Sequence, residues 1–238
     1  IQNNSNNTEK TYMLKSKVAT LQDNSSHGDD SFLTRDLGDG AFLDVVMDGV
    51  TGHGGQEASN TLKDALAEAT ITSIHDVEEV LQSVNEEFYQ IGGGRFLLTT
   101  VSAALFTAGK IEVIGAGDSP IFIVGADSYQ QLAGRIGGFL HVGVARAVGA
   151  GPELNGLSRS EMEEEPGIRL VLATDGISDN ILIDDLADMV RKAVSPEEAA
   201  ININGTIERY LEEGRMPERL GRRFRHDDRT AIFRFFDP

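Results

Sequence analysis

The chain contains no cysteine among its 238 residues. That excludes a disulfide framework, a thiol nucleophile and a zinc-thiolate centre. It also has no apolar run near the ~20 residues that a bilayer-crossing helix needs, so no membrane partner is expected. Positive charge is scarce, with 21 Lys and Arg against 38 Asp and Glu and a formal charge of −17. Such a surface repels phosphate backbones, which argues against nucleic acid as a partner. Residues 1–7 are polar and of low complexity, and they lack the apolar segment of a signal peptide. The expectation is a disordered lead-in over 1–10, one domain over 11–238, a cytoplasmic location and a monomer.

What is present is an ordinary globular composition, 40% hydrophobic and 25% charged, long enough for a large core. Residues 12–21, 31–34 and 41–47 read as strands. Residues 54–70 predict a helix with Ala58, Leu62, Ala65, Leu66 and Ala69 on one face. A second helix is predicted over 76–89, where Val77, Val80, Leu81, Val84 and Phe88 recur at helical spacing before Gly92-Gly93-Gly94. Residues 97–107, 110–115, 120–124 and 129–132 read as a strand meander, 134–165 as irregular, and 168–173 as a strand. Helices follow over 183–193 and 196–213, the latter with Ser195 as N-cap and Pro196 at its first position. Residues 229–235 read as a final strand. Strands in runs and helices in pairs, without βαβ alternation, predict an α+β layered fold rather than a doubly wound sheet.

Two strings stand out: Val46-Met47-Asp48-Gly49 and Ala173-Thr174-Asp175-Gly176. Each sets an Asp-Gly pair at the end of an apolar, strand-like run. The glycine is expected to turn the chain sharply there, which holds the carboxylate rigidly. Asp29-Asp30, Asp118, Asp179 and Asp227-Asp228 also lie in short polar strings beside apolar runs. For any one of them, ordinary turn chemistry is a sufficient reading. If they converge, their mutual repulsion calls for cations. Oxygen-only ligation points to Mg²⁺ or Mn²⁺, or to Ca²⁺, although EF-hand spacing is absent.

Six strings, in order, resemble the motifs of the bacterial-type metal-dependent Ser/Thr protein phosphatases, the type-2C or PPM family. Gly28-Asp29-Asp30-Ser31-Phe32 is similar to the family's first acidic motif. Asp48-Gly49-Val50-Thr51-Gly52-His53-Gly54-Gly55 resembles its Asp-Gly-x-Gly-Gly-His. Leu98-Thr99-Thr100 resembles Gly-Thr-Thr, and Gly117-Asp118-Ser119-Pro120 resembles Gly-Asp-Ser-Arg. Ala173-Thr174-Asp175-Gly176-Ile177-Ser178-Asp179 and Asp227-Asp228-Arg229-Thr230 resemble the two closing motifs. The resemblance implies a four-layer α-β-β-α sandwich of two antiparallel sheets flanked by helices, with a reduced flap. It implies Mn²⁺ or Mg²⁺, two ions and a third weaker one. Asp48 would bridge the ions, with the Gly49 carbonyl, Asp175 and Asp227 as further ligands. Asp29 and Asp30 would support the pair, and Asp118 and Asp179 would hold the third. The implied reaction is hydrolysis of phosphoserine or phosphothreonine on a protein by a metal-bridging hydroxide, with His53 as general acid. A catalytically inactive, regulatory domain of the same fold is the alternative.

The strings also depart from the family. An Arg that grips substrate phosphate often stands four residues before the first acidic ligand, where this chain has Ser25. Asp118 is followed by Ser119-Pro120 rather than Ser-Arg, and the flap segment is short, roughly 134–165. Arg222, Arg223 and Arg225, just before Asp227, are candidates to grip phosphate instead. Arg35 and Arg95 are weaker candidates because neither precedes an expected ligand so closely. His27 matches nothing catalytic and reads as structural or solvated.

Overall fold

A computed structural model describes residues 14–107, 109–134, 147–214, 220 and 226–238. The expected lead-in therefore lies outside the described residues. Ten strands form two antiparallel five-stranded sheets. The first is ordered β1 (Ser16–Asp23), β10 (Arg229–Phe236), β9 (Arg169–Ala173), β6 (Ile121–Val124), β7 (Tyr129–Ala133). The second is ordered β2 (Ser31–Gly38), β3 (Ala41–Met47), β4 (Val101–Thr107), β5 (Lys110–Ala116), β8 (Ser158–Glu163).

Alternation along the central strands sorts their side chains into separate layers. Val45, Ala103 and Leu105 pack with α1 (Gly55–Glu68) and α2 (Ile74–Gly92), while their neighbours Val46, Ala104 and Phe106 face the other sheet. Val171 and Ala173 pack with α3 (Asp175–Ser178), α4 (Ile183–Lys192) and α5 (Pro196–Glu213), while Leu170 and Leu172 join the layer between the sheets. Both faces of each central strand are buried, which is why these strands read as unbroken apolar runs despite antiparallel pairing. The result is the expected α-β-β-α sandwich.

Among the described residues, the inter-sheet layer holds one ion pair. Arg234 of β10 donates from Nε and Nη2 to the two Asp44 oxygens of β3 at 2.6 and 2.9 Å. Its Nη1 reaches Ser16 Oγ at 2.8 Å, and its guanidinium lies over the Phe42 and Phe106 rings. Burial pushes the Asp44 carboxyl up, and Arg234 opposes that shift.

Helix ends follow the local sequence where it supplies caps. Ser73 and Asp76 form a capping box at α2, Ser195 caps α5, and Gly93 and Gly214 close the two helices in the left-handed conformation. Two elements correct the sequence reading. The segment 134–165 is not irregular throughout, because Ser158–Glu163 forms edge strand β8. The Ala173-Thr174-Asp175-Gly176 string runs into a one-turn helix, α3, rather than an open turn. No helix among the described residues is long and apolar enough to cross a membrane.

Candidate functional site

The strand register brings the acidic strings to one end of the sandwich. Ser31 pairs with Met47, so Asp30, just before β2, and Asp48, just after β3, continue that ladder side by side. In the other sheet Ala231 pairs with Ala173, so Thr230 of β10 and Thr174, just after β9, meet in the same way. Asp227 and Asp228 lead into β10, Asp175 opens α3, and Asp118 lies between β5 and β6. A hydrogen bond from Thr174 Oγ1 to Asp30 Oδ2, 2.8 Å, joins the two sheets at this end.

The electrostatics record the crowding. Burial raises the Asp48 carboxyl well above its usual range, and Asp175, Asp30, Asp118 and Asp227 each push it further. Burial also raises Asp30 to about 8, with Asp175 and Asp228 adding to the shift and the Thr174 and Thr230 hydroxyls opposing it. The leading influences on Asp48 thus include no cation at all. The carboxylates are within electrostatic reach of one another but are not drawn into a shell. Among the described residues, no three His, Asp or Glu side chains stand close enough to hold a metal ion as they are. The donor chemistry nonetheless fits a hard divalent cation, since every candidate ligand is oxygen and the neighbouring carboxylates repel Asp48.

Several side chains fix this end of the fold. Asp228, only 2% exposed, is a loop clamp: its Oδ1 accepts from the amides of Ser26 and His27 at 3.1 and 2.9 Å, and its Oδ2 from that of Asp29 at 2.7 Å. Asp29 is engaged at the start of α1, which has no side-chain cap of its own. Its Oδ1 accepts the Gln56 amide at 3.0 Å and its Oδ2 the Thr51 hydroxyl at 2.8 Å, satisfying an orphan donor at the helix's positive end. The Asp48 carbonyl accepts from Thr100 N at 2.8 Å and Thr99 Oγ1 at 3.0 Å. Thr100 and Ser119 share a hydroxyl–hydroxyl bond of 2.8 Å, which ties the Thr-Thr and Gly-Asp-Ser strings together. Asp179 caps the C-terminal end of α3, its amide donating to the Asp175 carbonyl at 2.8 Å.

The glycines of the two Asp-Gly pairs serve a different purpose from the one the sequence suggested. Neither has a positive φ. A Cβ on Gly49 would stand 2.4 Å from the Gly55 backbone, and one on Gly176 would stand 1.8 Å from the Asp228 carbonyl oxygen. They are required because another backbone passes against them, which packs the Asp48 and Asp228 strings tightly into the site.

His53 sits between Gly52 and Gly54, both in the left-handed conformation. Its Nδ1 lies 2.8 Å from the Arg95 carbonyl. A carbonyl only accepts, so Nδ1 carries the proton and Nε2 is the nitrogen left for chemistry. His27 was set aside on sequence grounds, yet its Nδ1 lies 3.2 Å from Asp227 Oδ1. Its place in the acidic string, two residues before Asp29, was the available signal. Of the arginine candidates, Arg35 is occupied, its Nη1 donating to the Leu66 and Ala69 carbonyls at the end of α1. Arg222, Arg223 and Arg225 lie outside the described residues.

The family described as Stage II sporulation protein E (SpoIIE) matches residues 39–233. No curated protein sequence matches the chain. Among solved structures, PppA, "a key regulatory component of T6SS in Pseudomonas aeruginosa", is 20% identical with a TM-score of 0.77, over 94% of this chain and 99% of that one. The catalytic domain of the serine threonine protein phosphatase PstP, in complex with two manganese ions, is 18% identical with a TM-score of 0.72, over 95% and 100%. RsbX in complex with magnesium is 17% identical with a TM-score of 0.66, over 94% and 100%. At these identities the likeness is one of fold.

Proposed function

The chain belongs to the Stage II sporulation protein E (SpoIIE) family, and from that premise we propose a metal-dependent phosphatase acting on phosphoserine or phosphothreonine of a protein substrate. The observation that carries this reading is Asp48, whose buried carboxyl is faced by Asp175, Asp30, Asp118 and Asp227. Such an assembly of like charge is relieved by bound cations. All-oxygen donors suit Mn²⁺ or Mg²⁺, the ions named for PstP and RsbX.

Asp48, the Gly49 carbonyl, Asp175 and Asp227 would hold two ions, with Asp29 and Asp30 in support and Asp118 and Asp179 toward a third. When bound, such ions acidify water and offset charge on the phosphoryl oxygens. The remaining work belongs to the chain. As water oxygen bonds to phosphorus and the ester P–O bond breaks, the water gives up a proton to solvent, and His53, with both ring nitrogens protonated for this step, gives its Nε2 proton to the departing Ser or Thr oxygen. The Nδ1 bond to the Arg95 carbonyl holds the ring for that transfer. Asp228 and Asp29 keep the 25–29 loop and the start of α1 in register with the cluster. The setting we infer is a cytoplasmic monomer.

One observation favours a second reading, a binding module of the same fold: the described carboxylates form no ready metal shell. Hydrolysis of p-nitrophenyl phosphate and of a phosphothreonine peptide, with Mn²⁺ and with EDTA, separates the two. Mn²⁺-dependent turnover of both, abolished by EDTA, is expected. Absence of turnover at millimolar Mn²⁺ would leave only the binding module.

A further inference from the structure

Among the described arginines, Arg95 alone has a guanidinium with no partner. Arg35 bonds the end of α1, Arg159 pairs with Glu78, and Arg191 pairs with Asp188. Arg169 reaches the Val190 and Ala193 carbonyls, and Arg209 lies over Tyr210. Arg229 pairs with Asp23 and Arg234 with Asp44. Arg95 is exposed, in a protein of charge −17, and it follows directly on the Gly92-Gly93-Gly94 end of α2.

Its place is fixed by backbone bonds to the turn that carries His53. The Arg95 carbonyl meets His53 Nδ1, Leu98 N donates to the His53 carbonyl at 3.3 Å, and Val50 N donates to the Leu98 carbonyl at 2.9 Å. The 95–98 segment therefore runs alongside the 50–53 turn that leaves Asp48. The next residue, Phe96, packs its ring over Gly54, where a Cβ would come within 2.8 Å of it, yet the side chain is 46% exposed. Ile91, at the end of α2, is 65% exposed. A free cation and an apolar lip thus adjoin the candidate general acid.

We propose that Arg95 and Phe96 form the substrate clamp of this site, Arg95 binding the phosphoryl oxygens and Phe96 an apolar side chain flanking the phosphorylated residue. This rests on the phosphatase reading for the identity of the substrate. Arginine suits the task because its fork of donors matches two phosphoryl oxygens at once. The aromatic ring offers area at little entropic cost.

The test uses the whole chain at saturating Mn²⁺, with Arg95→Ala, Arg95→Lys and Phe96→Ala. Turnover is measured on a phosphothreonine peptide and on p-nitrophenyl phosphate. Binding is measured with inorganic phosphate and with a peptide bearing a non-hydrolysable phosphonate in place of phosphothreonine. Arg95→Ala should raise KM for both substrates, and weaken both binding probes, about tenfold, with kcat within about threefold of wild type. Arg95→Lys should recover only part of this. Phe96→Ala should weaken only the peptides, about threefold. Melting temperatures should match wild type for the Arg95 variants, since the side chain has no partner to lose. Wild-type turnover with Arg95→Ala unchanged in KM and binding would overturn the clamp and leave the phosphatase standing. A wild type that binds the phosphonate peptide through Arg95 but hydrolyses nothing would overturn the phosphatase and leave the clamp. A wild type that binds neither probe and hydrolyses neither substrate would overturn both.

Discussion

Asp44 and Asp48 are four residues apart, one within β3 and the other just past its end, and burial raises both carboxyls. Their surroundings are opposite. Asp44 faces the forked guanidinium of Arg234, and the pair spans the two sheets inside an apolar layer. Asp48 faces four more carboxylates. A buried charge that finds its partner within the chain is part of the architecture. Around Asp48 the leading influences are burial and repulsion from other carboxylates, and that cost falls when something from outside supplies positive charge.

The most forceful way to break this comparison is Asp48→Asn. It removes the central charge of the cluster while leaving β3 intact, so kcat at saturating Mn²⁺ should fall about a thousandfold, ~4 kcal/mol of barrier. The metal-free protein should melt no lower than wild type. Retention of more than about a tenth of the turnover would remove Asp48 from the centre of the chemistry. The counterpart is Asp44→Asn, which strands Arg234 in the inter-sheet layer. It should cost about 3–5 kcal/mol in urea unfolding, whereas Asp44→Leu with Arg234→Met together should cost far less. A single-variant loss under ~1 kcal/mol would mean that the pair does not hold the sheets.

Adding Mn²⁺ sharpens the contrast. At a hundred times its dissociation constant the ion should stabilise wild type by ~2.7 kcal/mol. The gain should vanish in Asp48→Asn. An equal gain in that variant would place the ion elsewhere. The smallest effect expected is on pH. Asp30 is raised from 3.8 to about 8, so the folded protein holds this proton longer than the unfolded chain. Its contribution to stability is complete below the unfolded value and is lost as pH rises toward about 8. Metal-free protein should therefore melt lower at pH 8 than at pH 5.5, and Mn²⁺ should flatten that slope. A melting temperature that rises over this interval without metal would contradict the crowding of the cluster.

The sequence announced the parts of the fold whose two faces are both buried. β3, β4, β9 and β10 are apolar runs because each is covered by helices on one side and by the other sheet on the other. It was silent on β8, whose Ser158–Glu163 segment is an edge strand with alternating exposure and a single apolar residue, Met162. It was silent too on α3, a single turn too short for periodicity to register. The acidic strings were visible as strand ends, but their division of labour was not. Asp228 acts through three backbone amides contributed by residues some 200 positions away, and Asp29 through a helix it does not belong to. No local pattern encodes such partners. The role of Gly49 and Gly176 was misread because the constraint is the close approach of other backbone, Gly55 and Asp29 at the first and Asp228 at the second, rather than a local torsion.

The Asp228 clamp also sets a clock. The 25–29 loop is held by a residue that the ribosome adds about two hundred residues later, immediately before the strand that joins β1 to β9. The 25–29 loop therefore cannot take its clamped shape until Asp228 has been made. A nascent or truncated chain lacking β10 carries Asp48 and His53 without the frame that organises them.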